Sequence, residues 1–302
     1  MRVVISGASG LIGTALTESL RADGHEVIAL VRRTPQGPFE SEWYPAAGTI
    51  DQDVIQSADA VVNLAGASIG SKRLTDSYKH VVKRSRVDST TLIARAYSSR
   101  TDGVLISGSA MGYYGARGDE VLTERSVAGT TFLSDIAQAW ESAADPAIEA
   151  GVRTVFIRSG LVLAPNGGFA ARLLPLVKRG LLGGLSGANA FHAWITLHDE
   201  VRAIRYLIDS DHAGPANIIA PEAVRDQALM TALSSVVGKK PGFVVPGWVL
   251  ELAIGPAVED LMSSQNARPG VLTRLGFGWD HATIDEAATW VMTEAGLAPP
   301  AM

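Results

Sequence analysis

The chain has 302 residues, 47% of them apolar, and a formal net charge of −5. That is enough apolar material for one large α/β unit or two lobes, and the wrong charge for a nucleic-acid or anionic-membrane partner. It contains no cysteine, which excludes disulfides, thiol nucleophiles and cysteine-ligated metals and fits a reducing, cytoplasmic location. No charged, apolar and cleavage-site pattern opens it, and the late apolar stretch from Val244 to Val258 is interrupted by Pro246, Gly247, Glu251 and Pro256. Neither a leader nor a membrane span is therefore expected.

Arg2 to Ser6 reads as a short strand built on Val3-Val4-Ile5, and Gly7-Ala8-Ser9-Gly10-Leu11-Ile12-Gly13 follows it directly. Leu11, Ile12, Ala15, Leu16 and Leu20 then repeat at helical spacing as far as Ala22. Strand, glycine turn and helix in that order make a phosphate-binding turn. The glycines let the backbone approach a pyrophosphate, and the first helical amides, with the positive end of the dipole, face it. Thr14 stands where a nucleoside-triphosphatase loop has its lysine, which disfavours ATP.

Gly24-His25 closes the helix, and Glu26 to Val31 reads as the second parallel strand. Arg32-Arg33 stands at its end, where a dinucleotide fold meets the adenosine ribose. An Asp or Glu there would accept from a free ribose hydroxyl, whereas guanidinium groups pair with a 2′-phosphate. NADP(H) is the predicted cofactor, held by Arg32 or Arg33; the alternative is that the two arginines are a solvated loop charge.

After a Pro/Gly-containing loop, Ala58 to Gly66 reads as a buried strand ending in a small-residue turn. Tyr78 to Ser98 reads as a helix, Val104 to Ser107 as a strand, Phe132 to Ala144 as a helix and Arg153 to Arg158 as a strand. Five strands alternating with helices predict an α/β fold, a Rossmann doubly wound parallel sheet over residues 1–160. Beyond Gly160, Pro165, Asn166-Gly167-Gly168 and Gly183-Gly184 punctuate shorter pieces. Residues 161–302 are expected to form a smaller substrate lobe, with strand-like segments at Trp194 to Leu197 and Asn217 to Ala220 returning to the core.

Nine motifs in order resemble the extended short-chain dehydrogenase/reductase superfamily, and more narrowly its atypical epimerase-family or SulA-like group. They are Gly7 to Gly13, Asn63 to Ala67, Ser85-Arg86-Val87, Ser107 to Gly115, Trp140-Glu141, Arg158 to Leu163, Gly214 to Asn217, Pro269, and Leu275-Gly276-Phe277. The resemblance implies an NADP-type fold whose C-terminal lobe closes over the nicotinamide, with Arg32, Leu64, Ala65 and Arg86 on the cofactor. The expected cofactor set is Gly7, Ser9, Gly10, Leu11, Ile12, Gly13, Arg32, Arg33, Leu64, Ala65, Gly66, Arg86, Ser107 and Val162.

Typical members of the superfamily pair a serine with Tyr-x-x-x-Lys, the lysine lowering the tyrosine's pKa for proton exchange. No tyrosine of this chain has a lysine four residues on, and Leu133 and Ala137 stand at the pair's positions when Glu141 is taken as the anchor. The SulA-like group in general lacks the pair. Ser109, at the mouth of the fourth strand, and Tyr113 are the catalytic candidates, with Tyr114 behind them; the alternative is that the tyrosines pack the lobe interface and Ser107 and Ser109 cap backbone groups. Lys72, Lys83 and His192 are weaker acid–base candidates, and His198-Asp199-Glu200 reads as a helix start. The six histidines have no metal-ligand spacing and there is no Gly-x-Ser-x-Gly elbow, so no metal site and no hydrolase is expected. Trp43, Trp248, Trp279 and Trp290 read as packing residues. The reading that results is an NADP(H)-binding oxidoreductase or epimerase acting on a small polar carbonyl or hydroxyl compound, a nucleotide sugar among the candidates. The alternative is an NADP(H)-binding sensor without turnover.

Overall fold

The computed structural model describes residues 1–69, 72, 74–168, 170–185, 190–245 and 263–298. Strand β1 (Arg2–Ser6), helix α1 (Leu11–Ala22) and strand β2 (Glu26–Val31) take the bounds read from the sequence. They are followed by β3 (Glu40–Tyr44), β4 (Thr49–Ile50), α2 (Gln52–Gln56), β5 (Ala60–Asn63) and α3 (Asp76–Tyr97). Next come β6 (Val104–Ala110), β7 (Val121–Leu122), α4 (Phe132–Ser142), α5 (Asp145–Glu149) and β8 (Arg153–Ser159). The later chain carries β9 (Leu161–Leu163), α6 (Ala170–Lys178), β10 (Leu182–Leu185), β11 (Phe191–His192), β12 (Trp194–Thr196), α7 (Leu197–Asp209) and β13 (Gly214–Ile218). Two helices, Gly270–Leu275 and Ile284–Glu294, lie near the C-terminus.

One eight-stranded sheet orders these strands β13-β8-β6-β5-β1-β2-β3-β4. All its neighbours are parallel except β3 and β4. The five predicted strands are its contiguous centre. Val3 and Ile5 pack with Leu16 and Leu20 of α1 and Ile204 and Leu207 of α7, whereas Val4 packs with Ile93 and Tyr97 of α3. Helices on both faces bury the apolar residues of the central strands, which is why those strands are unbroken apolar runs; each such side chain contributes about 1.5–3 kcal/mol.

The sequence reading placed a loop over β3, and the structure corrects it. Glu40-Ser41-Glu42-Trp43-Tyr44 buries only Ser41 and Trp43 and leaves Glu42 and Tyr44 exposed, so this penultimate strand alternates where central ones do not. β13 pairs with β8 from Gly214 opposite Val155 to Ile218 opposite Ser159. Trp194 to Thr196, by contrast, pairs with β9 in a separate two-stranded sheet. Trp248 and residues 246–258 lie outside the described residues. No helix among the described residues is long and apolar enough to cross a membrane.

β2 and β5 flank β1 on opposite sides. The carboxyl end of β1, where Gly7 follows, is therefore the point at which strand order reverses, and such a crevice is where open α/β sheets bind ligands.

Candidate functional site

Two glycines make the turn after β1 possible. Gly7 has φ +73°, and a Cβ on it would lie 2.8 Å from the backbone of Leu64. A Cβ on Gly13 would sit 2.2 Å from the Gly7 carbonyl oxygen. Only hydrogen fits at either position, so α1 packs directly against the turn that precedes it. α1 begins at Gly10 with no side-chain cap, whereas Thr75, Thr131 and Thr196 cap α3, α4 and α7. The first amides of α1 thus remain free of any protein side chain, and their dipole favours an anion. This cradle fits a dinucleotide's pyrophosphate.

The turn opens into a cavity of about 1120 Å³, which Gly7, Ser9, Gly10, Arg32, Arg33 and Gly66 help to line. The two arginines differ. Arg33 makes a two-pronged pair with Glu40 on β3, at 2.7 and 2.6 Å, and this holds Glu40 below its ordinary carboxylate range, helped by the Gln36 amide. Arg32 is exposed and has no partner among the described residues. β3, absent from the sequence reading, is what separates them.

A buried polar chain fixes the turn after β5. Ser6 donates to Asn63 at 2.5 Å, Asn63 donates to Thr90 at 2.7 Å, and the Trp140 indole donates to the same Thr90 oxygen at 3.0 Å. Ser6 also accepts from the Ala65 amide, so Leu64, Ala65 and Gly66 are held against the glycine turn. Arg86 lies behind Gly66: its guanidinium donates to the carbonyls of Ala67 and Val82 and stands 5.0 Å over the Trp140 ring. Ser107 is fully buried and sits beside Asn63 in register. Val162, on β9, packs against the core cluster that includes α1, with Ile12 and Leu64 beside it. Leu11 reaches the other way, to within 2.9 Å of where a Cβ on Gly167 would stand.

Past Ser107, the end of β6 carries a second cluster. Ser109 donates to Glu141 of α4 at 2.6 Å. Arg158 of β8 grips the same carboxylate with Nε and Nη2, both at 2.8 Å, and donates through Nη1 to the Tyr114 hydroxyl, also at 2.8 Å. Tyr114 donates in turn to Asn217 of β13 at 2.7 Å. Tyr113 covers the Arg158 guanidinium, whose carbon lies 3.5 Å from the ring centre, and its hydroxyl has no partner among the described residues. Burial lowers the Arg158 pKa, but the Glu141 and Tyr114 contacts outweigh it and leave it raised. Burial also lifts the Tyr114 phenol to about 12, so this tyrosine is a fixed neutral donor.

Glu141, Arg158 and Asn217 were assigned no function in the sequence reading, although all three lie in quoted motifs. The available signal was Arg158 itself, a charge ending the apolar strand Val155-Phe156-Ile157, which requires a buried counter-charge. Tyr113 meets Arg158 rather than Arg117, which pairs with Glu120 across the Gly118 turn. Leu133 and Ala137 are buried packing residues of α4.

The remaining candidates are tied into the structure. Lys83 pairs with Asp135 at 2.7 Å, Lys72 lies over Tyr78, and His192 is buried against Asp226 at 3.2 Å. His198, Asp199 and Asp280 bring three metal-type ligands together, but Arg202 supplies their positive charge, at 2.7 and 3.2 Å from the two carboxylates. One further group was read from the sequence only as part of a helix start. Glu200 on α7 is fully buried, accepts from Ser159 at 2.5 Å through one oxygen and leaves the other unpartnered. Burial lifts its carboxyl to about 8.

Comparison with known proteins gives these features a setting. Residues 3–220 match the model of the NAD dependent epimerase/dehydratase family, and residues 245–291 match a domain of unknown function, DUF1731. An epimerase family protein of Mycobacterium bovis is 38% identical over 296 residues, covering 97% of this chain and 98% of that protein. The crystal structure of human epimerase family protein SDR39U1 (isoform 2) with NADPH superposes with a TM-score of 0.86 at 27% identity, over 97% of this chain and 99% of that one. A nucleoside-diphosphate sugar epimerase structure from Corynebacterium glutamicum gives 0.80 at 32% identity, over 100% of this chain and 59% of that one.

Proposed function

Because the chain belongs to the NAD dependent epimerase/dehydratase family, we propose that it is an NADP(H)-dependent oxidoreductase or epimerase acting on a small polar carbonyl or hydroxyl compound, with nucleotide sugars the first class to test. The observation that carries the cofactor is the pairing of a glycine cradle that admits no Cβ with Arg32, unpartnered among the described residues, at the ribose end. NADPH in the human relative's structure is consistent with it. Arg32 would hold the 2′-phosphate, while Arg33 is occupied by Glu40. When bound, the cofactor supplies or takes the hydride. The chain's own part is to place the ligand at the carboxyl end of β6, where Ser109 and Tyr113 present oxygens anchored through Glu141 and Arg158.

A sensor that binds NADP(H) without turnover is the second reading, favoured by the buried Leu133 and Ala137 where a Tyr-Lys pair would act. Calorimetric titration with NADPH and NADH tests the cofactor assignment, after any nucleotide carried through purification has been removed. Arg32→Asp should weaken NADPH binding by about 10- to 100-fold, the loss of one charge-assisted pair and the gain of a repulsion, and Arg33→Asp by less. Unchanged NADPH affinity in both variants refutes the assignment. NADPH oxidation across a carbonyl panel separates the enzyme from the sensor.

A further inference from the structure

Hydrogen-bond direction at Ser109 restricts what the site accepts. Arg158 donates to both oxygens of Glu141, from Nε to Oε1 and from Nη2 to Oε2, each at 2.8 Å. A carboxyl group gripped on both oxygens by guanidinium N–H groups carries no proton of its own, so it can only accept. Ser109, at 2.6 Å from Oε1, must therefore be the donor, and a hydroxyl has one proton to give. The pair is well fixed: Arg158 is 2% exposed, and it is also held through Tyr114 to Asn217 and by stacking on Tyr113.

We propose that Ser109 presents only lone pairs to the ligand, so that the site selects a ligand hydroxyl over the corresponding carbonyl, with Glu141 as the positioning residue that sets this polarity. The hydroxyl of a substrate can donate to Ser109, whereas a carbonyl meets acceptor against acceptor. Tyr113 complements it. Its hydroxyl is unpartnered among the described residues, so its proton is not committed to a protein acceptor there. The proposal rests on Ser109 facing the substrate, as in the function proposed above.

The test has two arms. Neutron diffraction from deuterium-exchanged crystals locates the Ser109 hydroxyl deuteron with no substrate required. A deuteron on the line to Glu141 Oε1 is expected; one directed elsewhere overturns the proposal. In solution, the protein with NADP(H) bound is titrated with UDP-6-deoxyglucose and with UDP-4-keto-6-deoxyglucose, which differ only in a hydroxyl against a carbonyl at C4. The hydroxyl probe should bind about tenfold more tightly, the value of one hydrogen bond gained against one acceptor left unpaired. Ser109→Ala should bring that ratio close to one. So should the double variant Glu141→Ala/Arg158→Met, which buries no unpaired charge and frees the Ser109 proton to rotate. A ratio near one in the unsubstituted protein, or a ratio that survives the double variant, overturns the proposal. Binding of neither probe, with the deuteron in its expected place, removes the nucleotide-sugar reading and leaves the polarity of Ser109 supported.

Discussion

Replacing Glu200 by glutamine should make the protein more stable at alkaline pH while changing little in mild acid. The carboxyl is fully buried on α7, one oxygen accepting from Ser159 and the other without a partner. Desolvation lifts it from an ordinary 4.5 to about 8, against the downward pull of the Ser159 hydrogen bond. Between those two values the folded chain holds a proton that the unfolded chain has released. Stability contributed by this group is therefore complete below pH 4.5 and is lost as pH rises through 8. At about 1.4 kcal/mol per pH unit across that interval the loss reaches about 5 kcal/mol, an upper figure because water entry and local relaxation reduce it. Glutamine has the same shape, donates to or accepts from Ser159, and does not titrate. Urea unfolding of both proteins at pH 5.5 and pH 8.5 measures the effect, and taking the difference between them cancels every other titrating group. The variant should gain about 2–3 kcal/mol relative to the unsubstituted protein between the two conditions, since about 1.4 kcal/mol of the loss already lies below pH 5.5. An equal difference at both, or one that moves toward the unsubstituted protein at pH 8.5, refutes the reasoning.

Gly13→Ala places a methyl group 2.2 Å from the Gly7 carbonyl oxygen. The neighbouring atom is backbone, so the turn must open, and we expect about 1–3 kcal/mol of destabilisation in thermal melts together with at least a 100-fold loss of NADPH affinity by calorimetry. Wild-type affinity in a stably folded variant would show that the turn does not hold the pyrophosphate. Arg158→Met strips the counter-charge from Glu141, whose side chain is 13% exposed; a cost of about 3–5 kcal/mol in urea is expected. Adding Glu141→Ala should restore part of it, since the unpaired charge is then gone. Double-mutant energies that simply add would mean that the pair does not interact.

Much of the fold was legible in the chain because central parallel strands are buried on both faces, and runs such as Val3-Val4-Ile5 and Val155-Phe156-Ile157 have few other uses in an α/β chain. The glycine turn was legible for a related reason. Where no side chain fits, only glycine can stand, and Gly7 and Gly13 mark the contact of α1 with the turn by their identity alone. β3 was not legible, because it buries only alternate residues and Glu40-Ser41-Glu42 reads as polar loop. That one strand distinguishes the two arginines: its Glu40 pairs with Arg33, whereas Arg32 has no partner among the described residues.

The same division holds at the chemical site. Local order along the chain fixed the strand, turn and helix at the N-terminus, the identity of Ser109 and Tyr113 as residues at the end of β6, and the absence of a Tyr-x-x-x-Lys pair. Which proton Ser109 gives away, and to what, depended on Glu141 from α4 and Arg158 from β8, separated from it by 32 and 49 positions. Sequence periodicity reports how a segment faces the core, because that is decided within a few residues. The pairing of buried charges and the direction of a hydrogen bond are decided by groups from distant segments meeting away from water, and only the folded arrangement brings them together.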